Sequence, residues 1–266
     1  EEMKPEDTKP EDTKPEDVKP EDTKPEDSKP DETNPETPSE TVSPSEPQKE
    51  ELLTPQQKLQ YAIEHAYIGD PVYAVDNISG DVKATWNWKG DLIIDLESYS
   101  MNGSLYINAP EATNIYLRDS GVGMSGARIS SYLVINAPKA HVECEIMLRG
   151  FVIIQDAKDF VVKDEVGKAV SLQGKARLEL DSSVNPVPMV RIDTTKEVVL
   201  SGSFDTVSVM ISDAVVKMAE DTTIASLEIP ENSTGALIDC ESEGQLNTRI
   251  DTITASERFS LGVSAN

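Results

Sequence analysis

The sequence predicts an all-β chain: a parallel β-helix, or solenoid, with about 18–20 residues to a coil, an N-terminal capping helix and a disordered N-terminal tail. Three observations lead there. The first is a recurring pair of apolar residues one position apart: Leu105/Ile107, Leu133/Ile135, Val152/Ile154, Val170/Leu172, Val190/Ile192, Val209/Ile211 and Leu227/Ile229. After one longer first interval, the spacing from pair to pair holds at about 19 residues. Period-2 strands returning at a near-fixed interval are how a coiled solenoid is written, because each coil lays one strand on the last.

The second observation is a parallel series: Ile115/Leu117, Val142/Cys144, Phe160/Val162, Leu178/Leu180 and Val198/Leu200. It too opens with a long interval and then settles to the same period. Both series lengthen in the same coil, where Gly121, Gly123, Ser125 and Gly126 mark an inserted loop. Stacked at roughly 4.8 Å, about eight such coils make a rod on the order of 40 Å long. The competing reading is an antiparallel sandwich, whose closely spaced turn signals also recur regularly along a chain.

The third observation is compositional. Residues 1–50 hold 18 Asp/Glu and 7 Lys (net −11), 10 of the 17 prolines and no aromatic residue. From Pro5 to Pro35 a proline recurs every fifth residue in near-copies of Lys-Pro-Glu-Asp-Thr. Such a segment cannot bury enough apolar surface to offset its chain entropy. Prolines and like charge favour extended geometry, so residues 1–51 are expected to act as an acidic stalk, reaching ~150 Å if fully polyproline-like. The rest of the chain is acidic as well, but it carries nearly all the apolar residues from which a core could be built.

Residues 52–75 are expected to form the cap and a turn, and residues 76–266 the β-helix. Thr54, Pro55 and Gln57 have the form of a helix start: a capping hydroxyl, proline in the first turn and a reciprocating amide. Leu59, Ile63, Ala66 and Tyr67 share a helical face, and Gly69-Asp70-Pro71 stops it. A solenoid exposes an apolar cross-section at each end, so this helix should cover the first coil. Cys144 and Cys240 both alternate into the interior, about five coils or roughly 24 Å apart. A disulfide needs Cα atoms within about 7 Å, so both are expected as free, buried thiols.

Within these residues there is no signal peptide, wall-sorting or anchor signal, and no apolar run of membrane-spanning length. A processed secreted protein has this form, and so does a trimmed chain. Gly90-Asp91-Leu92-Ile93-Ile94-Asp95, Gly103-Ser104-Leu105-Tyr106-Ile107-Asn108-Ala109-Pro110 and Leu133-Val134-Ile135-Asn136-Ala137-Pro138 resemble the β-helical coils of secreted cell-surface proteins from Gram-positive bacteria. The resemblance spans Gly90 to Leu148, about the first half of the folded region. From Phe151 onward the period continues without the Asn-Ala-Pro turn. The resemblance implies a right-handed parallel β-helix, an extracellular or wall-associated location, and a binding or structural role with no active site to transfer.

Many β-helices degrade acidic polysaccharides, so the enzyme alternative needs a test on residues. There is no Asp-Asp pair, and the only histidines are His65, in the cap helix, and His141, just before a strand. Arg191 and Asp193 flank inward Ile192, but Arg249/Ile250/Asp251 repeats the pattern, as a paired outer face would. Calcium-binding repeats of the known spacings are absent; Asp76, Asn77, Ser79 and Asp81 around Gly80 form one oxygen-rich turn, with Asp76 and Asp81 the metal candidates and a plain turn the alternative. No cofactor is expected. A net charge of −25 without a basic stripe argues against nucleic acid and anionic membranes as partners.

Two features suggest recognition. Trp86 and Trp88, one residue apart beside Lys83 and Lys89, would project from one strand face and could stack sugar rings; the alternative is packing beneath the cap helix. The inserted loop Ser120 to Ala127 is the other. The expectation is a monomeric, secreted, non-catalytic structural or adhesive module, with cell-wall or host glycans or a surface protein as partner. A secreted polysaccharide lyase or glycoside hydrolase is the first alternative, and a filament-forming β-helix protein the second.

Overall fold

The computed structural model describes residues 53–123, 126–242 and 247–262. The expected tail, residues 1–51, lies outside them. The helix spans Pro55–Glu64 and begins as its sequence dictates: the Thr54 hydroxyl accepts from the Gln57 amide at 3.2 Å, and Gln57 Oε1 accepts from the Thr54 amide at 2.9 Å. Leu59 and Ile63 are buried against the first coil. The helix ends a turn earlier than its apolar face implies. Gly69 takes a φ of +80°, and Tyr67, expected on the buried face, is 80% exposed.

From there the chain is a parallel β-solenoid of about eight turns. Strands begin sooner than the expected boundary at residue 76, since Pro71–Tyr73 already pairs with Ile93–Asp95. One series of strands forms a first sheet: Val82–Thr85, Leu105–Asn108, the leading parts of Tyr132–Cys144 and Phe151–Val162, then Ala169–Leu172, Val187–Ile192, Ser203–Val209, Thr223–Ile229 and Arg249–Ala255. The alternating series, from Pro71–Tyr73 and Asp91–Asp95 to Ala236–Cys240 and Phe259–Leu261, forms a second. Tyr132–Cys144 and Phe151–Val162 run through the corner and belong to both.

The apolar pairs are the stacked interior. Leu105, Leu133, Val152, Val170 and Val190 form one column, each 0% exposed. In the second sheet Val142, Phe160, Leu178, Leu200, Met218 and Cys240 form another. Two stretches of the expected register shift by one pleat. Val190/Ile192 stacks on Val207/Val209, not Val209/Ile211, and Ile211 is exposed; Leu200 stacks on Leu178, and Val198 on Ala176. The physical reason is that turns between coils differ in length, so an equal spacing along the chain picks the neighbouring pair.

The early coils carry a third face that the pairs do not reveal. Ser100–Met101, Arg128–Ile129 and Met147–Leu148 pair with one another, and Ile78 and Val166 bridge to either end. Each presents a single buried apolar side chain, too short a signal for periodicity. The Asn-Ala-Pro turn makes the corner between the main sheets. Ala109 and Ala137 point inward at 0% exposure, and the asparagines meet outside, Asn136 Nδ2 donating to Asn108 Oδ1 at 2.9 Å. In the following coil Asp156-Ala157 takes the place of Asn136-Ala137 across a bulge, so the corner outlasts its motif.

The inserted loop is pinned by a carboxylate. Asp119 accepts from the amides of Ser98 (2.7 Å), Gly121 (3.1 Å) and Ala127 (2.6 Å). Asp95, 4% exposed, accepts from Glu97 and Ser120 amides at 2.9 and 3.1 Å. Burial opposes ionisation there, but these hydrogen bonds and the Arg118 charge outweigh it and hold the carboxyl below its ordinary value.

Candidate functional site

Inward pairs leave the residue between them facing out, and the parallel register lines those residues up. On the first sheet the row reads Lys83, Tyr106, Val134, Ile153, Ser171, Arg191. Five coil spacings of roughly 4.8 Å separate its ends, about 24 Å. Val134 points outward yet is only 8% exposed, and Tyr106 and Ile153 are half-buried. This face is therefore recessed.

Two adjoining depressions record the recess. One encloses about 400 Å³ over Tyr106, Val134 and Ile153 and is bordered by Thr85, Asn108, Asn136, Gln155 and Gln173. The other, about 450 Å³, continues past Ile153 and Gln173 to Ser171, Met189, Arg191 and Asp193. Tyr132 and Phe151 line its opposite margin, their rings stacked at 5.4 Å between centroids, with Lys168 Nζ 5.0 Å above Phe151. The result is a groove along the solenoid axis with an apolar floor, a carboxamide wall and an aromatic wall.

Charge distinguishes this groove from the rest of the molecule. In a chain of net charge −25, the first depression is lined by no acidic residue, and its one charged residue is Lys83, whose Nζ lies 5.1 Å from the Tyr106 ring centre. Asp193, at the far end, is engaged by Ser171 Oγ at 3.1 Å and by Arg191 at 3.9 Å. Asn and Gln side chains both donate and accept, and the single Asn136–Asn108 bond leaves each with further capacity.

The outer face of the second sheet also carries half-buried apolar residues, Ile93, Val161 and Val199, but it gathers ion pairs around them. Lys163 bonds Glu143 and lies 3.5 Å from Glu145; Arg177 grips both oxygens of Glu241 at 2.7 and 2.8 Å; Lys217 meets Glu197 at 2.7 Å. Burial works against the Glu143 carboxylate, but the Lys163 bond and charge, with the Glu145 hydrogen bond and the nearby His141, together outweigh it and hold its pKa below the ordinary value. His141 sits between two carboxylates, Nδ1 3.7 Å from Asp159 and Nε2 3.9 Å from Glu143. Both gaps exceed hydrogen-bonding distance.

The residues singled out from sequence fare differently. Trp86 and Trp88 do not share a face: the strand ends at Thr85, and Trp86 turns inward at 0% exposure, donating from Nε1 to the Ala66 carbonyl at 3.1 Å beneath the cap helix. Trp88 is exposed. Asp76 accepts from the Asn77 amide at 2.6 Å and Asp81 from the Ser104 amide at 2.8 Å, so the oxygen-rich turn ties one coil to the next. Among the described residues no three metal-ligating side chains converge. Cys144 is free and buried, and burial pushes its thiol up to about 12; Cys240, expected to be buried, is only partly so.

The apolar pairs alone do not mark the groove; a partial signal is the residue between them, which the second sheet shares in Leu92-Ile93-Ile94 and Phe160-Val161-Val162. Leu105-Tyr106-Ile107, Leu133-Val134-Ile135 and Val152-Ile153-Ile154 are unbroken apolar triplets. A strand apolar on both faces is one whose outer face is also covered or recessed. Fold and face together define a parallel β-solenoid with one grooved sheet whose central coils present apolar and amide side chains. No family model matches the chain, nor does any curated protein or solved structure.

Proposed function

We propose that this chain is a non-catalytic, structural or adhesive β-helix module of a secreted bacterial surface protein, presented on an acidic spacer. The observation that carries the reading is the contrast between the outer faces: one closes its charges into ion pairs, and the other holds a groove whose first depression is lined by no acidic residue. The extracellular, bacterial setting rests on the resemblance of the Asn-Ala-Pro coils and on the proline-rich acidic repeat. Co-sedimentation of the full chain with insoluble bacterial cell wall and with host matrix tests it. Retention on either supports adhesion; passage through both removes it.

One observation favours a second reading, a polysaccharide-active enzyme: His141 bracketed by Asp159 and Glu143 is the nearest approach to an acid–base group. Released oligosaccharide that vanishes with His141→Ala would establish that reading. Filament formation is opposed by the helix over the first coil, which leaves a monomer as the expected state. Sedimentation velocity across a concentration series checks it.

A further inference from the structure

We propose that the first-sheet groove binds a linear, uncharged glycan lying along the solenoid axis, one sugar unit to a coil. The proposal rests on the adhesive reading and names the ligand that reading requires. An extended chain of β-1,4-linked sugars advances per unit by roughly the 4.8 Å coil spacing, so the ~24 Å from Lys83 to Arg191 holds about five units. The carboxamides of Asn108, Asn136, Gln155 and Gln173 recur coil by coil along one wall. Each can donate to one hydroxyl and accept from another, which suits a ligand that is all hydroxyls. On the other wall the Tyr132 and Phe151 rings stack on one another with Lys168 over Phe151, so their apolar edges are what they offer to the C–H side of a sugar ring.

Charge selects the neutral polymer. A polyuronate would need a cation at each unit, whereas the whole groove has only Lys83, Lys168 and Arg191, the last beside Asp193, in a chain whose net charge of −25 repels anions. Geometry disfavours a peptide. Extended peptides add to an exposed strand edge, whereas strands here are hydrogen-bonded on both sides and the groove crosses them. Backbone groups are spent in the ladders, so only side chains are available to a ligand.

Calorimetric titration of the full chain with dimers to hexamers of β-1,4-linked glucan, mannan, xylan and N-acetylglucosamine, and with a galacturonate hexamer, tests the proposal. At least one neutral hexamer should bind, at least about tenfold more tightly than its dimer, and exposed-site variants Gln155→Ala and Tyr132→Ala should each weaken it about tenfold without shifting the thermal transition. The proposal is overturned if no neutral hexamer binds, if only the galacturonate binds, or if neither variant matters. Two outcomes separate it from the reading beneath it. Wall retention unaffected by the double variant removes the groove and keeps adhesion. Hexamer cleavage with groove-dependent binding keeps the groove and removes the non-catalytic role.

Discussion

The two outer faces share one core and one register, yet they spend their side chains differently. On the second sheet, outward positions carry Glu143, Arg177, Glu179 and Lys217, and the charges meet across coils. On the first, the equivalent positions carry Tyr106, Val134, Ile153 and amides, with nothing charged to pair until Arg191 and Asp193. The contrast teaches that interior repetition fixes the scaffold while leaving each outer row independent. Surface ion pairs contribute little, about 0–1 kcal/mol each, so the charged face mainly stays hydrated and keeps its coils in register. A recessed apolar strip gains nothing comparable from water, and the glycan proposed for it would cover it.

The largest expected effect strikes what both faces share. Phe160 is fully buried between Val142 and Leu178, and Phe160→Ala should cost about 3–5 kcal/mol by denaturant unfolding, with probes on the grooved and the ion-paired face losing the same amount. If one face survived its loss, the two would not be one cooperative scaffold. Next comes Asp95→Asn, which weakens the bonds to Glu97 and Ser120 beside the inserted loop and should cost about 1–2 kcal/mol at neutral pH. Because the folded pKa lies below the unfolded value, that stabilisation is present above about pH 3.9 and is lost as pH falls through the folded pKa. The gap between variant and parent should therefore close on acidification.

Smaller effects separate the faces. Lys163→Ala should cost under about 1 kcal/mol, less in high salt, and leave hexamer binding intact. Gln155→Ala should stay within about 0.5 kcal/mol in stability. The smallest effect is chemical: in the folded chain a thiol reagent should modify Cys240 well before Cys144, whose thiol is held at about 12 by burial. Equal rates would place Cys144 outside the core.

How far the sequence could be read follows from the same division. Leu133/Ile135 and Val152/Ile154 announce the stacked interior because apolar alternation is what burial requires. Thr54 and Gln57 announce the helix start because capping is local chemistry. The third face escaped because Met101, Ile129 and Leu148 each offer one apolar residue per coil. Register slipped at Val207 and Leu200 because turn length is set by tertiary fit, which spacing alone does not encode. The tryptophans part because the alternation that takes Val82, Ala84 and Trp86 inward stops before Trp88, which lies beyond the strand. The groove was only partly legible in the triplets around Tyr106, Val134 and Ile153, because only stacking in space turns those residues into a surface.

The most direct measurement is a map of side-chain amide resonances on the full chain titrated with the neutral hexamers. The expected result is that signals of Asn108, Asn136, Gln155 and Gln173 shift together while backbone signals around Glu143, Lys163 and Arg177 stay in place. Shifts gathered on that charged face, or none on either, would contradict the division of labour between the two sheets.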